Sequence, residues 1–347
     1  MAPVVLFWEI TRACALACRH CRAEAQPKRH PLELTKGECF AAIDDISQFH
    51  PSPILVISGG DPLMRRDLFD VVAYAVARGL RTSISPSVTA LITPRNLARA
   101  YEAGVRHISF SLEGPTPEIH DGFRGVSGSY DRTLWAIGAA QDAGLTVQVN
   151  TTVGRWNGSQ LEAMVKVIAR SGASLWDLFF LVPTGRARAT ELLSAEEHER
   201  VFHWIYELSR RATFRVKTTL GQPYRRVMHQ QAARGSAEPG SVPSTNDGKG
   251  IIFISHVGEI YPSGFLPIPC GNVRTDSLVE VYRTNPVFRV LRDPDALKGK
   301  CGQCPFRAIC GGSRARAYAC TGDYLAAEPC CIYDPSTDEA GVGAAPD

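Results

Sequence analysis

Neither sign of charge is in excess: 38 Lys and Arg face 35 Asp and Glu, a net charge of +3 over 347 residues. That excludes a polybasic footprint as the organising feature, so neither nucleic acid nor a membrane surface is the expected partner. Long apolar runs are missing too. No segment approaches the ~20 apolar residues that span a bilayer. The opening Met1-Ala-Pro-Val-Val-Leu-Phe-Trp-Glu has no basic region followed by a long apolar stretch, so no secretory signal is visible. A hydrophobic content of 44% with 21% charged residues nevertheless provides for a sizeable core and argues against disorder. What the chain has in quantity is cysteine, 11 in all, and their distribution is not that of a secretory disulfide set. Cys14, Cys18 and Cys21 fall together, Cys39 stands alone, and the next is Cys270. Cys301, Cys304, Cys310, Cys320, Cys330 and Cys331 crowd the last part of the chain. Two tight groups in a chain expected to be cytoplasmic point to metal ligation before disulfides.

The first two thirds alternate strand and helix. Apolar runs at Val4–Glu9, Ile54–Ser58, Arg81–Ser85, His107–Leu112, Thr146–Thr151 and Leu175–Leu181 read as strands. Thr35 with Glu38 and Ser194 with Glu197 are capping boxes that open helices to about Phe49 and about Arg210. Thr93-Pro94 gives a cap and a first-turn proline, and Gly79, Gly104, Gly144 and Gly172 read as helix stops. Further helices are predicted over Asp67–Arg78, Tyr130–Ala143 and Ser159–Arg170. Six consecutive βα units imply an α/β fold with parallel strands, doubly wound or barrel-like, and chemistry on loops at the carboxyl ends of the strands. The polar stretch 221–250 reads as a linker or mobile loop between a barrel over 1–220 and a cysteine-rich region over 251–335. The small, polar tail 336–347 is expected to be disordered.

The loop after the first strand reads Thr11-Arg-Ala-Cys14-Ala-Leu-Ala-Cys18-Arg-His-Cys21, a CxxxCxxC. Three thiolates converging on one metal centre leave a coordination position open, which catalysis at a metal requires. A closed zinc site would need a fourth ligand, and His20 is the only local candidate. With this motif the chain resembles the radical SAM superfamily. The resemblance implies a partial (β/α)6 TIM-like barrel in which Cys14, Cys18 and Cys21 hold a [4Fe–4S] cluster. Its open iron would chelate S-adenosylmethionine (SAM), and reductive cleavage would release a 5′-deoxyadenosyl radical that abstracts a hydrogen atom from substrate. His20 takes the place of the residue that packs near the adenine. Ser58-Gly59-Gly60-Asp61-Pro62 resembles the family's GGEP motif, which receives the SAM amino group, and Asp61 keeps the charge on a shorter side chain. Ser87 after the third strand, and Ser111 and Glu113 after the fourth, fall where the family meets the ribose and carboxylate. Arg124 resembles its carboxylate-binding arginine, and Asn150 and Val182 fit the adenine side. No catalytic residue is assigned beyond the cluster ligands.

Cys301-Gly-Gln-Cys304-Pro-Phe-Arg-Ala-Ile-Cys310, followed by Cys330 and Cys331, supplies enough thiolates to close an iron–sulfur cluster or a structural zinc site. Beside a radical SAM core this segment resembles the SPASM/twitch auxiliary domain. The resemblance implies one auxiliary [4Fe–4S] cluster on Cys301, Cys304, Cys310 and Cys331, with Cys330 an adjacent alternative. A two-cluster form would have a further cysteine where this chain has Ser313 and Arg314. Cys39, Cys270 and Cys320 are read as inert thiols, Cys39 as core filler.

The run Cys310–Cys320, its continuation to Cys331, and the opening Trp8-Glu9-Ile-Thr-Arg-Ala-Cys are similar to the haem-pathway branch, which includes iron-coproporphyrin decarboxylases. That implies a tetrapyrrole or other small-molecule substrate. The rival readings are a ribosomally made peptide and, from another class, a non-catalytic iron–sulfur or zinc protein. The barrel starts within a few residues of Met1, so no amino-terminal leader-binding element is expected. A reducing donor such as a flavodoxin or ferredoxin is the implied protein partner. Lys217, Arg225, Arg226 and Arg188 are candidates for binding substrate carboxylates.

Overall fold

The computed structural model describes residues 1–234 and 244–337. Seven parallel strands follow one another in chain order: β1 (Val5–Glu9), β2 (Ile54–Ser58), β3 (Thr82–Ile84), β4 (His107–Ser111), β5 (Thr146–Val153), β6 (Leu175–Phe180) and β7 (Arg215–Thr219). An eighth, β8 (Ile251–Ile254), comes from the cysteine-rich region and pairs in parallel with the opposite side of β1, so that Val5 faces Ile54 on one side and Ile251 on the other. Antiparallel β9 (Glu259–Tyr261) and β10 (Gly271–Asn272) extend that edge. The sheet begins at β10 and ends at β7 without closing on itself, the form of a partial barrel.

Helices α1 (Lys36–Ile46), α2 (Leu68–Ala77), α3 (Pro94–Glu102), α4 (Pro117–Arg124), α5 (Ser129–Asp142), α6 (Leu161–Ser171), α7 (Ala195–Arg211) and α8 (Pro223–Arg234) accompany these strands. Both capping boxes form. Thr35 Oγ1 accepts from Glu38 N at 3.3 Å while Thr35 N donates to the Glu38 carboxylate at 2.7 Å, and Ser194 with Glu197 repeats the arrangement. Such a cap is worth about 1 kcal/mol. Alternate strand residues face the helices. Leu6, Trp8, Leu55, Ile57, Phe110, Val149, Trp176 and Leu178 are fully buried there. The residues between them, including Ser58, Ser109, Ser111, Gln148, Asn150 and Thr152, lie on the opposite, concave face and are only half-buried. That face mixes these polar residues with apolar ones such as Phe7, Val56 and Phe179, and it leads to the strands' carboxyl ends.

Two expectations are corrected, and one element is added. The stretch read as a linker is helical from Pro223 to Arg234, while residues 235–243 and the tail from 338 on lie outside the described residues. Arg215–Thr219 forms a seventh parallel strand although its sequence, RVKTT, has almost no apolar signal; its edge position lets its residues stay partly exposed. The added element is the helix Pro117–Arg124, whose Thr116-Pro117 repeats the Thr93-Pro94 cap-and-proline start.

The cysteine-rich region adds α9 (Leu278–Thr284), α10 (Pro286–Arg292), α11 (Gly299–Gln303) and α12 (Arg314–Thr321). A small apolar cluster of Val182, Leu220, Leu266, Leu291 and Ala315 fastens it to the loops that follow β6 and β7. Arg316, with no exposed surface, donates to Leu181 O at 3.0 Å and Leu220 O at 2.9 Å, and pairs with the equally buried Glu328 at 2.9 Å.

Candidate functional site

The loop carrying Cys14, Cys18 and Cys21 leaves β1 and is held by its neighbours. Thr11 Oγ1 donates to Glu33 at 2.6 Å and accepts from Ala13 N at 3.0 Å. Cys14 N donates to Gln26 O at 2.8 Å, which folds the loop back on itself. From β2, Gly60 N reaches Thr11 O at 2.8 Å and Asp61 N reaches Ala13 O at 2.7 Å. The glycines are needed for this approach. A Cβ on Gly59 would stand 2.5 Å from Thr11 O, and one on Gly60 would stand 2.5 Å from Ala13 O, closer than any real contact.

The sulfurs are met by donors. Leu16 N points at Cys14 Sγ at 3.3 Å, Ala25 N at Cys21 Sγ at 3.4 Å, and Arg124 Nη1 at Cys18 Sγ at 3.3 Å. N–H groups and a guanidinium directed at sulfur stabilise thiolates, the form in which cysteine binds metal, so the donor set fits iron–sulfur ligation. Ser87 Oγ lies 3.5 Å from Cys14 Sγ and donates to Gly60 O at 2.9 Å, tying β3 to both loops. Asp61 turns inward. Its carboxylate accepts from Leu63 N at 3.1 Å and Thr89 Oγ1 at 2.9 Å, and burial pushes its pKa up to about 6. The side chain braces the turn, while the backbone of the glycine loop bonds to that of the thiol loop through Gly60 N and Asp61 N.

Glu113, after β4, is 1% exposed. Its Oε2 accepts from Thr152 N at 2.7 Å, while Oε1 lies 3.5 Å from Arg124 Nη2 and 3.9 Å from His20 Nε2. Burial raises its pKa, and the Arg124 charge and the Thr152 bonds counter only part of that. Arg124 is the last residue of α4, which ends on Gly125 in the left-handed conformation at φ 72°. His20 stacks on Phe123 at 4.4 Å between centroids, and Phe123 stacks on Trp156 at 4.4 Å. Burial, then the charges of Arg124 and Arg186, bring His20 down to about 3, so the ring is neutral at physiological pH. Ser111 and Asn150 face each other across β4 and β5, and Asn150 Oδ1 accepts from Gln148 at 2.7 Å. Val182 packs into the small apolar cluster described above.

Phe123, Trp156 and Arg186 were not singled out in the sequence. Gly154 is the available signal for Trp156: a Cβ there would lie 2.1 Å from the indole, so the ring folds back over its own turn. Asn157 secures that turn, accepting from Gly154 N at 3.1 Å and donating to Glu113 O at 2.8 Å.

Some 300 residues along the chain, Cys301, Cys304, Cys310 and Cys331 line one cavity with Arg226, Lys300, Arg307, Glu328 and Tyr333. Glu328 N points at Cys301 Sγ at 3.3 Å and Gly312 N at Cys310 Sγ at 3.4 Å. Burial pushes Cys310 up to about 12. Cys330 is buried, its thiol influenced chiefly by burial and by Arg316, Glu328 and Cys320, and it does not line the cavity. Cys39 is fully buried in the core between barrel and helices. Among the described residues no three His, Cys, Asp or Glu side chains are set for a single metal ion.

The candidate carboxylate-binding cations are mostly engaged. Lys217 pairs with Asp177 at 2.9 Å, Arg226 with Glu199, and Arg225 donates to Thr245 and to Ile309 O. Arg188 is exposed at the start of a short turn of 3₁₀ helix.

A family model described as the radical SAM superfamily matches residues 8–168. The chain is 41% identical over 344 residues to the AdoMet-dependent heme synthase of Nitratidesulfovibrio vulgaris, covering 95% of this chain and 92% of that one. It is 39% identical to the protein of the same name from Methanosarcina barkeri, covering 96% and 97%. Among solved structures, Streptococcus suis SuiB bound to S-adenosylmethionine superposes with a TM-score of 0.73 at 15% identity, covering 96% of this chain and 78% of that one, a likeness of fold. With the thiol loop at the head of a partial barrel and relatives of near-equal length at this identity, the chain belongs to the radical SAM superfamily, enzymes that use S-adenosylmethionine with a [4Fe–4S] cluster.

Proposed function

We propose that the enzyme is a haem synthase that oxidatively decarboxylates propionate side chains of an iron tetrapyrrole. The observation that carries this is the likeness to AdoMet-dependent heme synthases over 95% of the chain, cysteine-rich region included. In this reading Cys14, Cys18 and Cys21 hold the first [4Fe–4S] cluster, and Cys301, Cys304, Cys310 and Cys331 hold an auxiliary one. Together with SAM the first cluster supplies hydrogen-atom abstraction, and each propionate becomes a vinyl group by losing one hydrogen atom, carbon dioxide and one electron.

The chain's own residues place and shield this chemistry. Arg124 puts positive charge against Cys18 Sγ and Glu113 and so ties the thiol loop to the end of β4. The glycine loop lies flat against the thiol loop and leaves backbone groups for the SAM amino end. His20, Phe123 and Trp156 form a three-ring wall that excludes water from the side of the adenine. Ser87, Ser111, Glu113 and Asn150 supply polar groups for the sugar and methionyl parts, and Val182 closes the β6 side by packing. A flavodoxin or ferredoxin in the cytoplasm provides the reducing electron.

Anaerobic reconstitution followed by incubation with SAM, reductant and iron-coproporphyrin III tests the reading. The expected products are 5′-deoxyadenosine and a porphyrin lighter by one carbon dioxide and two hydrogens per propionate. Formation of 5′-deoxyadenosine with an unchanged porphyrin mass rejects the tetrapyrrole substrate, and a peptide substrate would then show its own mass loss. No nucleoside product at all rejects the enzyme reading.

A further inference from the structure

Ten buried side-chain atoms among the described residues have no hydrogen-bond partner, and five of them cluster at the thiol loop: His20 Nδ1, Glu113 Oε1, Trp156 Nε1, and Arg186 Nε and Nη2. His20 and Trp156 belong to one ring stack, Glu113 Oε1 lies 3.9 Å from His20, and the charge of Arg186 reaches His20. A buried donor left unmade costs about 1–3 kcal/mol, more when it is charged, so an empty guanidinium edge calls for a ligand.

The two orphan nitrogens of Arg186 are the pair that matters. Nε and Nη2 form the side of the guanidinium that grips both oxygens of a carboxylate. The same edge is filled this way elsewhere in the molecule. Arg316 uses it on Glu328 at 2.9 and 3.3 Å, Arg65 on Asp67 at 2.8 and 3.0 Å, and Arg274 on Glu38 at 2.7 and 3.4 Å. In Arg186 it is buried and unmatched. Its position is fixed by the thiol loop. Arg186 N donates to Cys21 O at 3.2 Å, and Gly185, at φ 64°, brings the chain so close that a Cβ would stand 2.5 Å from Cys21 O.

We propose that Arg186 binds a carboxylate, two-pronged through Nε and Nη2, beside the thiol loop. A substrate propionate and the methionyl end of SAM both carry that group, and the propionate arm rests on the haem reading above. The test is equilibrium binding to the reconstituted protein, wild type against Arg186→Gln and Arg186→Lys. The probes are coproporphyrin III against its tetramethyl ester, and SAM against decarboxylated SAM. Wild type is expected to prefer the acid in at least one pair. Arg186→Gln should lose about tenfold or more for that acid and little for its uncharged counterpart, while Arg186→Lys restores part of the preference, as for a charged hydrogen bond worth ~1.5–3 kcal/mol. Collapse of the porphyrin pair assigns the propionate, and collapse of the SAM pair assigns the methionyl carboxylate. The proposal is overturned if Arg186→Gln keeps every wild-type preference, or weakens acid and neutral probes equally. Wild-type protein that binds neither porphyrin overturns the haem reading, and the SAM pair alone then decides the role of Arg186.

Discussion

The thiol loop after β1 and the four-thiol pocket near the carboxyl end differ in where their braces come from. Cys14, Cys18 and Cys21 are held by residues spread along the barrel: Thr11, Gly60, Asp61, Ser87 and Arg124. The pocket is braced from within, by Glu328 N, Gly312 N and the Arg314 guanidinium on sulfurs only a few tens of residues away at most. Charges are also handled differently. Beside the loop, Glu113 Oε1 and the two-nitrogen edge of Arg186 make no hydrogen bond, whereas at the pocket Arg316 and Glu328 satisfy each other and a single nitrogen, Arg226 Nε, is left without one. Unpaired buried groups favour the arrival of a ligand, and mutually paired ones favour a closed structural unit. Three thiols beside several unmatched groups suit a reacting centre, and four beside a largely matched set suit a resident one.

The sharpest way to break this contrast is a pair of cysteine variants. Cys14→Ala is expected to abolish 5′-deoxyadenosine formation, while Cys331→Ala keeps SAM cleavage but loses auxiliary iron and most turnover, as read by iron content and product chromatography. Loss of SAM cleavage in both would erase the distinction. The next largest effect falls on the pocket. Arg316→Met leaves Glu328 charged and unmatched in the interior, and should cost ~3–5 kcal/mol in denaturant unfolding. The acid limb carries the same signature. Burial works to raise the Glu328 pKa, but Arg316 and the backbone N–H groups of Cys330 and Ser313 hold it below the usual 4.5. Its stabilising contribution is therefore whole above pH 4.5 and drains away as pH falls below that value towards the depressed one. Glu328→Gln should flatten that limb in a pH series of thermal melts.

On the loop side, Gly60→Ala forces Ala13 O away from a Cβ at 2.5 Å. Iron in the first site should fall roughly tenfold while the auxiliary iron stays, for a local shift worth ~1–3 kcal/mol. Equal loss from both sites would mean that the loop and the pocket fold as one unit. The smallest effect is expected from Phe123→Leu, which removes the middle ring of the stack. A loss of ~1 kcal/mol predicts SAM binding weaker by about fivefold, measured by titration of the reconstituted protein.

Much of this architecture was legible because local chemistry marks its boundaries. Thr35 with Glu38, Ser194 with Glu197, and Thr93 before Pro94 announced helices that begin at Lys36, Ala195 and Pro94. Continuous apolar runs announced strands such as Ile54–Ser58. Where pattern and position disagree, local sequence misleads. β7 has little apolar content because it is an edge strand, and α8, rich in Arg and Gln, resembles a linker in composition. The cysteine spacings stood out along the chain. The His20, Phe123 and Trp156 stack did not, since its members lie on three separate segments.

By itself the sequence determined the alternation of strand and helix, the two thiol groups and the glycines between them, because caps, periodicity and ligand spacing are local properties of a chain. Tertiary structure alone decided that β8 joins β1, that Cys331 rather than Cys330 lines the pocket, and that Arg316 and Glu328 share a buried bond while the edge of Arg186 is left free. The physical reason is common to all of these. Which polar group is matched in the interior depends on what other segments bring to it, and no spacing along one segment encodes that.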